Sequence, residues 1–161
     1  MKKILITGGS GFIGTNFINF LSKKKIKILN IDKISKVSSP EKFKKIFYKN
    51  NYRFIKDNLN DAKKIYQILI RYKPDCIINF AAESHVDRSI DDPIYFIKNN
   101  INSATNLFYA YYKYYKLKKI KLFHISTDEV YGSIKKGEFR EHDKYNPSSP
   151  YSASKSGSDL I

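Results

Sequence analysis

A glycine-rich turn directly follows the first apolar run of the chain and limits how the chain can fold. The sequence KKILIT leads into TGGSGFIG, after which apolar residues recur at helical spacing. Gly9, Gly11 and Gly14 satisfy the pattern G-x-G-x-x-G, and Gly8, Gly11 and Gly14 satisfy G-x-x-G-x-x-G. Glycines at this spacing let a strand turn tightly into a helix and leave room for close backbone contacts. The N-terminus therefore predicts a strand, a glycine turn and a helix, in that order.

The rest of the chain repeats this alternation of apolar runs and amphipathic segments. Strands that alternate with helices form parallel sheets with helical crossovers. The predicted fold is therefore α/β, a Rossmann-type doubly wound parallel sheet, whose ligands are expected at the carboxyl ends of the strands. Residues 33–50 are polar and Lys-rich and are predicted as a loop with a short helix. The predicted strands are residues 2–7, 26–31, 53–56, 76–80 and 120–126, and the predicted helices are residues 12–24, 61–72, 93–116 and one that begins near Tyr151.

Three local patterns make this prediction more specific. Asp61 is predicted to cap the second helix, because a carboxylate at that position can accept the first N–H groups of the helix. Residues 76–80 are almost entirely apolar, so this strand is predicted to be buried on both faces. The face of the first helix that is predicted to be buried consists of Phe12, Ile13, Phe17, Phe20 and Leu21.

Length and composition indicate a folded protein rather than a disordered, membrane-spanning or disulfide-linked one. A chain of 161 residues with 42% hydrophobic residues can bury a sizeable core, so disorder is not expected. The apolar runs are shorter than the roughly 18 residues that a membrane helix needs, and the run before the glycines is too short for a signal peptide. Cys76 is the single cysteine, so an intrachain disulfide cannot form and a reducing cytoplasm is the expected location.

The chain carries a formal net charge of +15, from 30 Lys and Arg against 15 Asp and Glu. This charge, and the alternating Tyr and Lys residues of 109–121, could indicate a nucleic-acid or anionic-membrane partner. Nucleic-acid readers rely on Arg for bidentate contacts, however, and only four of the basic residues are Arg. We interpret the lysines as solvated surface residues of an A/T-biased coding sequence, with no nucleic-acid or membrane partner. Segment 109–121 is interpreted as a helix end whose tyrosines pack on the sheet.

The glycine turn and Asp32 together indicate a dinucleotide site. The turn can bring a pyrophosphate to the N-terminus of a helix, and the carboxylate of Asp32, after the second strand, can accept hydrogen bonds from the adenosine ribose. Its charge would repel a 2′-phosphate, which favours NAD over NADP, although Lys33 weakens this preference. Ala81 and Ala82 are small enough to let a cofactor lie against the end of the fourth strand. A glycine turn without a ligand is the alternative.

Polar residues after the fourth strand, in the run ESHVDRS, suggest a wall of a substrate site. Glu83, His85 and Asp87 could also be interpreted as metal ligands. We do not favour that alternative, because residues so close in sequence rarely converge on one ion. The sequence therefore predicts no metal.

Acid–base residues follow the fifth strand. Asp128 and Glu129 can supply one proton and remove another in a single elimination. Tyr151 and Lys155 are spaced i, i+4, so they share one face of a helix. An ammonium beside a phenol favours the phenolate and is predicted to lower the pKa of Tyr151 below its usual value of about 10. Tyr151 could then remove a proton from a sugar hydroxyl.

Four segments carry a resemblance to a known family: TGGSGFIG, FAAESHVDRSI, HISTDEVYG and PSSPYSASKSGSD. Together they resemble the extended, nucleotide-sugar branch of the short-chain dehydrogenase/reductase superfamily, and within it the dTDP-glucose 4,6-dehydratases. The resemblance runs from Met1 to Ile161. The Thr-Asp-Glu triplet at residues 127–129 is its specific part, because epimerases and decarboxylases of this branch usually carry a different triplet.

The resemblance implies a three-step reaction in one pocket. Tyr151, helped by Lys155 and Thr127, would deprotonate the C4 hydroxyl of dTDP-glucose while hydride passes to NAD. Glu129 would take the C5 proton, and Asp128 would protonate the C6 hydroxyl so that it leaves as water. Hydride would then return to C6. The enzyme would be a lyase of deoxysugar biosynthesis that forms dTDP-4-keto-6-deoxyglucose.

The resemblance also implies which residues contact the ligands. Ser84 and Thr127 would contact the hexose. Asn99 and Asn100 lie in FIKNN, where the family has cofactor and structural contacts, and Asn99 replaces the usual Thr. The residues that would contact NAD are Gly8, Gly11, Phe12, Ile13, Gly14, Asp32, Lys33, Asp57, Asn58, Ala81, Ala82, Asn99, Tyr151 and Lys155.

Members of the family continue beyond the position of Ile161 with a further strand and a C-terminal region that grips the nucleotide. The expected domain is therefore residues 1–161, an NAD-binding Rossmann domain that is incomplete and lacks the C-terminal substrate-binding region. Such a portion is expected to be inactive alone and to form the family's homodimer only weakly. A non-catalytic NAD-binding module and another nucleotide-sugar epimerase or dehydratase are the alternatives.

Overall fold

The structure is a computed structural model and describes residues 1–35, 38 and 50–161. Most of the segment predicted as a loop with a short helix, 33–50, lies outside the described residues. The chain divides into two compact units. The first unit comprises Met1–Ala81 and Asn106–Ile125, and the second comprises Ala82–Thr105 and Ser126–Ile161.

The first unit is built on a parallel sheet. Strand β1 pairs with both β2 and β4, and every pairing in the described sheet is parallel. The order β3-β2-β1-β4-β5 has the chain reversing direction across the sheet after β3, which is the doubly wound arrangement. The prediction of a Rossmann-type parallel sheet is confirmed. The strands are β1 (Lys2–Thr7), β2 (Ile26–Asp32), β3 (Tyr52–Lys56), β4 (Cys76–Asn79) and β5 (Lys121–His124).

Three of the helices in the described residues begin where the sequence provides a side-chain cap or a proline. Asp61 accepts hydrogen bonds from the N–H groups of Lys63 at 2.8 Å and Lys64 at 3.2 Å, which confirms the predicted cap. Within this part of the chain, we find no helix with the length and apolar character that a membrane crossing requires. The helices are α1 (Phe12–Ser22), α2 (Ala62–Tyr72), α3 (Val86–Asp91), α4 (Pro93–Leu117) and α5 (Pro150–Asp159).

The two faces of the sheet bury separate apolar clusters. Successive side chains of a strand point to opposite faces, so Leu5 and Ile6 of β1 join different clusters. Leu5 packs in a cluster with Leu69 of α2 and Leu107 of α4, whereas Ile6 packs in a cluster with Ile18 of α1. Each of these side chains is fully buried, and the burial of one contributes about 1.5–3 kcal/mol. The strands of the first unit are therefore packed against apolar side chains on both faces of the sheet.

The buried face of α1 differs from the prediction. Phe12, Ile13 and Phe20 were expected to be buried but are 76%, 60% and 59% exposed. The prediction was wrong for these three residues and is confirmed for Leu21, because the buried face of α1 is centred on Ile18 and Leu21 and includes the small residues Gly14 and Thr15. The buried residues of α1 are Gly14, Thr15, Ile18 and Leu21.

The carboxyl end of α4 carries the alternating tyrosines and lysines. Tyr114 is buried in the apolar core, as predicted, but Tyr109 and Tyr112 are more than half exposed, so the prediction is wrong for these two. Each of these two rings is contacted by a lysine ammonium instead. The lysine ammonium lies 4.0–4.6 Å from the ring centroid in three pairs, Tyr109 with Lys113, Tyr112 with Lys116 and Tyr115 with Lys119.

The second unit contains a helix, α5, whose buried side chains are mostly serine. The helix starts after Ser149, which forms a reciprocal capping box with Ser152 and is followed by a proline in the first turn. Each buried hydroxyl donates to a backbone carbonyl three or four residues earlier, so these polar groups are satisfied within the helix. The buried serines of α5 are Ser152, Ser154, Ser156 and Ser158.

Candidate functional site

The glycine turn after β1 leaves no room for a side chain at three of its positions, Gly8, Gly9 and Gly14, and at Gly8 and Gly14 the obstructing atoms belong to the backbone. Gly8 adopts φ 68°, and a Cβ atom there would lie 2.4 Å from the backbone nitrogen of Ala81. A Cβ atom at Gly14 would lie 2.5 Å from the carbonyl oxygen of Gly8. At Gly11, by contrast, the nearest atom to an added Cβ is 3.4 Å away. Gly8 and Gly14 are therefore required by the protein's own packing, whereas Gly11 faces space that a ligand can use.

Helix α1 begins directly behind this turn and has no side-chain cap, because Gly11 occupies the capping position. The first N–H groups of an α-helix have no acceptor within the helix, and they lie at the positive end of its dipole. Phe12 and Ile13 of this first turn expose their apolar side chains. An uncapped helix start behind a glycine turn fits the pyrophosphate of a dinucleotide.

Asp32 lies at the end of β2 and is nearly buried. Its Oδ2 accepts a hydrogen bond from the Ser10 N–H at 2.8 Å, and its Oδ1 accepts one from the Ile34 N–H at 2.7 Å. A carboxylate offers about four acceptor positions, so Asp32 can hold the glycine turn and still accept from ribose hydroxyls. The carboxylate fits the ribose role that the sequence predicts, and it also organises the loop.

Other residues that the resemblance assigned to NAD lie at the same edge of the sheet. The Asp57 N–H donates to the carbonyl of Asp32 at 3.1 Å, and the Asp57 carboxylate accepts from the Leu59 N–H at 3.0 Å and pairs with Lys64. Asn58 is exposed beside them. Among the predicted cofactor residues of the first unit, the structure therefore brings the glycine turn, Asp32 and Asp57 to adjoining strand ends.

Asn79, at the end of β4, is a residue that the sequence analysis missed. Its Oδ1 accepts from the Thr7 hydroxyl and from the Ala81 N–H at 3.1 Å, and its Nδ2 donates to His124 Nδ1 at 2.8 Å. Asn79 therefore fixes the backbone of Ala81 against Gly8 and connects the ends of β1, β4 and β5. A single amide side chain in the apolar run CIINF was the signal that could have identified it.

In the second unit, the Thr-Asp-Glu triplet forms a compact turn. Thr127 Oγ1 accepts the Glu129 N–H at 3.3 Å and lies 3.4 Å from the Asp128 carboxylate. The 3₁₀ turn over Asp128–Tyr131 ends at Gly132, which adopts φ 92°. The turn therefore holds one hydroxyl and two carboxylates next to one another.

Tyr151 and Lys155 lie one turn apart on α5 and are 8% and 3% exposed. Burial raises the pKa of Tyr151 above its ordinary value, the hydrogen bond with the Thr127 hydroxyl opposes this rise, and the carboxylates of Glu129 and Asp128 add to it. The predicted lowering of the Tyr151 pKa is therefore wrong in this structure, because the cost of burying a phenolate is the largest effect. The structure does bring Tyr151 together with the triplet, as the sequence implied.

A cavity of about 310 Å³ opens beside the triplet in the second unit. Its volume lies at the lower end of the range for small-molecule sites. It is an open depression lined by polar side chains and two tyrosine rings. The lining residues are Ser126, Thr127, Asp128, Val130, Tyr131, Tyr145 and Asp159.

The segment predicted as a substrate wall is fixed to its own unit through Asn100. The Asn100 carboxamide accepts the Glu83 N–H at 2.7 Å and donates to the Glu83 carbonyl at 2.9 Å and to the Ser154 hydroxyl at 2.8 Å. The Tyr95 hydroxyl donates to the Glu83 carboxylate at 3.2 Å. Ser84, the predicted hexose contact, is exposed on this fixed loop.

The structure also places the remaining candidates of the second unit. Ala82 is exposed, and the Asn99 side chain donates to a backbone carbonyl one turn earlier in α4 at 2.8 Å. Glu83, His85 and Asp87 are not gathered into a ligand set, since the described residues contain no group of three that could hold a metal ion.

The family model of GDP-mannose 4,6 dehydratase matches residues 5–161 of the chain. The chain belongs to the GDP-mannose 4,6 dehydratase family. Within this family, the dTDP-glucose 4,6-dehydratase of Salmonella typhimurium is 40% identical over 176 residues, which cover 99% of this chain and 49% of the relative. The enzyme of the same name from Xanthomonas campestris pv. campestris (strain B100) is 38% identical over 168 residues, which cover 100% of this chain and 48% of the relative.

Solved structures of related enzymes share the fold. The dTDP-glucose 4,6-dehydratase from Bacillus anthracis in complex with NAD has a TM-score of 0.87 at 35% identity, covering 100% of this chain and 49% of that one. The UDP-Glc/GlcNAc 4-epimerase from Campylobacter jejuni has a TM-score of 0.86 at 28% identity, covering 99% of this chain and 47% of that one. The chain spans about half the length of the curated relatives it matches, and the resemblance stated from the sequence is confirmed.

Proposed function

We propose that this chain carries the NAD-binding and acid–base part of a dTDP-glucose 4,6-dehydratase, a lyase that forms dTDP-4-keto-6-deoxyglucose and water. The observation that carries the proposal is that the turn with Thr127, Asp128 and Glu129 lies close enough to the Tyr151 phenol for all three side chains to affect its pKa. This proximity brings together the turn that bears Asp128 and Glu129 and the helix that bears Tyr151. A base, an acid and a hydroxyl-binding group therefore lie within one unit of the protein.

Tyr151 removes the proton of the C4 hydroxyl of the sugar. Burial keeps the phenol protonated in the resting protein, and the Thr127 hydroxyl favours the phenolate when the proton is transferred. Lys155, one turn along the same helix face, supplies positive charge to that phenolate. When bound, NAD supplies the transient oxidation at C4 and the return of hydride at C6.

Asp128 and Glu129 divide the loss of water between them. Glu129 removes the proton at C5, and Asp128 protonates the hydroxyl that leaves from C6. Asp128 is exposed and Glu129 is half-buried on the same turn, so the two carboxylates face different surroundings. Neighbouring groups with different surroundings are suited to opposite proton-transfer roles.

The first unit holds NAD through its glycine turn and Asp32. The uncapped start of α1 would hold the pyrophosphate of NAD, and the acceptor positions of Asp32 that the loop does not use would bind its ribose hydroxyls. The Asp32 charge disfavours a 2′-phosphate, so NAD binds more tightly than NADP. Titration calorimetry of the chain with the two dinucleotides measures this preference, and equal or tighter binding of NADP would contradict the role of Asp32.

The 4-epimerase reaction is the second candidate, because an epimerase shares this fold. An epimerase inverts C4 without loss of water, so it does not need a carboxylic acid beside a carboxylate base. The adjacent Asp128 and Glu129 therefore support dehydration.

The catalytic roles are tested in a chimera that joins residues 1–161 to the C-terminal part of the Salmonella typhimurium relative. We expect the chimera to form the 4-keto-6-deoxy product from dTDP-glucose. Glu129→Gln should lower product formation by about 10²- to 10⁴-fold while slow oxidation at C4 stays detectable by absorbance, and Tyr151→Phe should abolish both. Glu138→Gln, an exposed residue beyond the triplet, is the matched control. Near-normal product formation by Glu129→Gln would refute the assigned role.

A further inference from the structure

Asp159, near the end of α5, makes contacts that the proposed reaction does not use. Its Oδ2 accepts a hydrogen bond from the Ser126 hydroxyl and another from the Tyr145 phenol at 3.3 Å. Ser126 directly precedes Thr127 in the triplet turn, and Tyr145 lies in the segment that leads to α5. One carboxylate oxygen therefore joins three segments of the second unit.

Asp159 also lies on the same face of α5 as the buried Lys155, four residues further along. Burial lowers the pKa of Lys155 by disfavouring the ammonium, and the negative charge of Asp159 opposes that effect. The same charge disfavours the Tyr151 phenolate, as Asp128 and Glu129 do from the triplet turn. Asp159 therefore acts electrostatically on both members of the Tyr–Lys pair.

A carboxylate at this end of a helix needs a compensating interaction. The C-terminus is the negative end of the helix dipole, so an aspartate in the last turn is disfavoured. The two hydrogen bonds to Asp159 and its attraction to a buried ammonium provide that compensation. An isolated buried ammonium would be costly, so Lys155 gains from the same arrangement.

We propose that Asp159 is a positioning residue for the Tyr–Lys pair, an inference that rests on the proposed function. Its carboxylate fixes the start of the triplet turn to α5 through Ser126 and places a negative charge one helical turn from Lys155. Asp159 lines the cavity beside Thr127 and Asp128. It acts on the proposed reaction through Ser126 and Lys155.

The test separates the charge of Asp159 from its hydrogen bonds. Asp159→Asn keeps an acceptor oxygen of the same size and removes the charge, and Asp159→Glu keeps the charge. Asp143→Asn is the matched control, because Asp143 accepts a backbone hydrogen bond in a loop of the same unit. The pKa of Lys155 is measured in the full chain by NMR of ¹³C-labelled lysine, with the resonance assigned through Lys155→Arg.

We expect Asp159→Asn to lower the pKa of Lys155 by about one unit, and Asp159→Glu and Asp143→Asn to leave it close to that of the unchanged chain. A folded Asp159→Asn chain with an unchanged Lys155 pKa would overturn the proposal. If Asp159→Asn does not fold, Lys155→Met is added to it. Recovery of folding would then support the charge pairing, and failure of the double variant to fold would reject it.

This measurement does not depend on NAD or substrate. If Asp159→Asn lowers the Lys155 pKa but the unchanged chain binds neither NAD nor NADP, the pairing of Asp159 with Lys155 is supported and the proposed function is rejected. If Asp159→Asn leaves the Lys155 pKa unchanged and the unchanged chain binds NAD, the proposed function stands and the role of Asp159 is rejected. The two failures are therefore distinguishable.

Discussion

Gly8→Ala tests the glycine turn most directly, because the structure offers two matched glycines for comparison. The new Cβ atom would lie 2.4–2.6 Å from backbone atoms of Phe80 and Ala81, which cannot rotate away. Gly137 has a comparable φ of 92°, but the nearest atom to an added Cβ is 3.9 Å away. Gly11 has an ordinary φ of −72°. The three substitutions therefore separate backbone conformation from steric overlap.

The expected costs follow from these geometries. The left-handed conformation costs an L-residue about 1–2 kcal/mol, which is the whole expected effect at Gly137. Gly8→Ala adds an overlap with backbone on the neighbouring strand, for which overpacking costs of about 1–3 kcal/mol are typical. Its total is about 2–5 kcal/mol, a large share of the roughly 5–15 kcal/mol that stabilises a domain. Gly11→Ala should change stability by less than about 1 kcal/mol, because reduced freedom of the unfolded chain favours alanine while the N-cap position favours glycine.

Urea denaturation of the three variants, followed by far-UV circular dichroism, measures these free energies of unfolding. The expected order of stability is Gly11→Ala, then Gly137→Ala, then Gly8→Ala. A Gly8→Ala chain that loses no more stability than Gly137→Ala would refute the claim that the turn is closed against β4. Calorimetry adds a functional comparison, since Gly11→Ala should fold normally and bind NAD more than about tenfold more weakly.

Three further predictions concern single side chains. Burial raises the pKa of Tyr52 to about 12, above about 10 in an unfolded chain, so its contribution to stability is present below pH 10 and is lost as the pH rises towards 12. Between pH 10 and pH 12, the free energy of unfolding should fall by about 3 kcal/mol less in Tyr52→Phe than in the unchanged chain, as measured by denaturation at each pH. An equal fall in the two proteins would contradict the raised pKa of Tyr52. Thr127→Val removes the hydrogen bond that favours the phenolate, so the pKa of Tyr151 should rise further in an absorbance titration referenced to Tyr151→Phe; a fall would contradict the contact. Asp61→Ala should cost about 1 kcal/mol in urea denaturation, and no cost would mean that the cap is dispensable.

The sequence predicted those features that depend on local pattern. The alternation of apolar runs and helices was enough for the parallel sheet, and Asp61 was enough for a helix start. The conformation of Gly8 is also a local property. These features agree with the structure because a turn, a cap and a strand are each specified by residues that are neighbours in the chain.

The features that the sequence missed depend on contacts between distant residues. The pKa of Tyr151 was predicted from Lys155 alone, but it depends on burial and on the triplet turn, more than twenty residues earlier. Asn79 looked like part of an apolar strand until the ends of β1 and β5 were placed beside it. The face of α1 was only partly predicted, because the contact with the sheet buries Gly14 and Thr15 beside Ile18 and Leu21 and leaves Phe12, Ile13 and Phe20 exposed.

The serine side chains make α5 a narrow helix, which limits how this part of the protein can change. A serine fills little more volume than an alanine, and here each buried hydroxyl lies back along its own helix. Even a methyl group at Gly157 would come within 3.1 Å of Ile101 in α4. While exposed lysines elsewhere in the chain can be replaced with little effect, the buried face of α5 has little tolerance for added volume. We expect α5 to be the segment in which the A/T bias of the coding sequence has replaced the fewest residues.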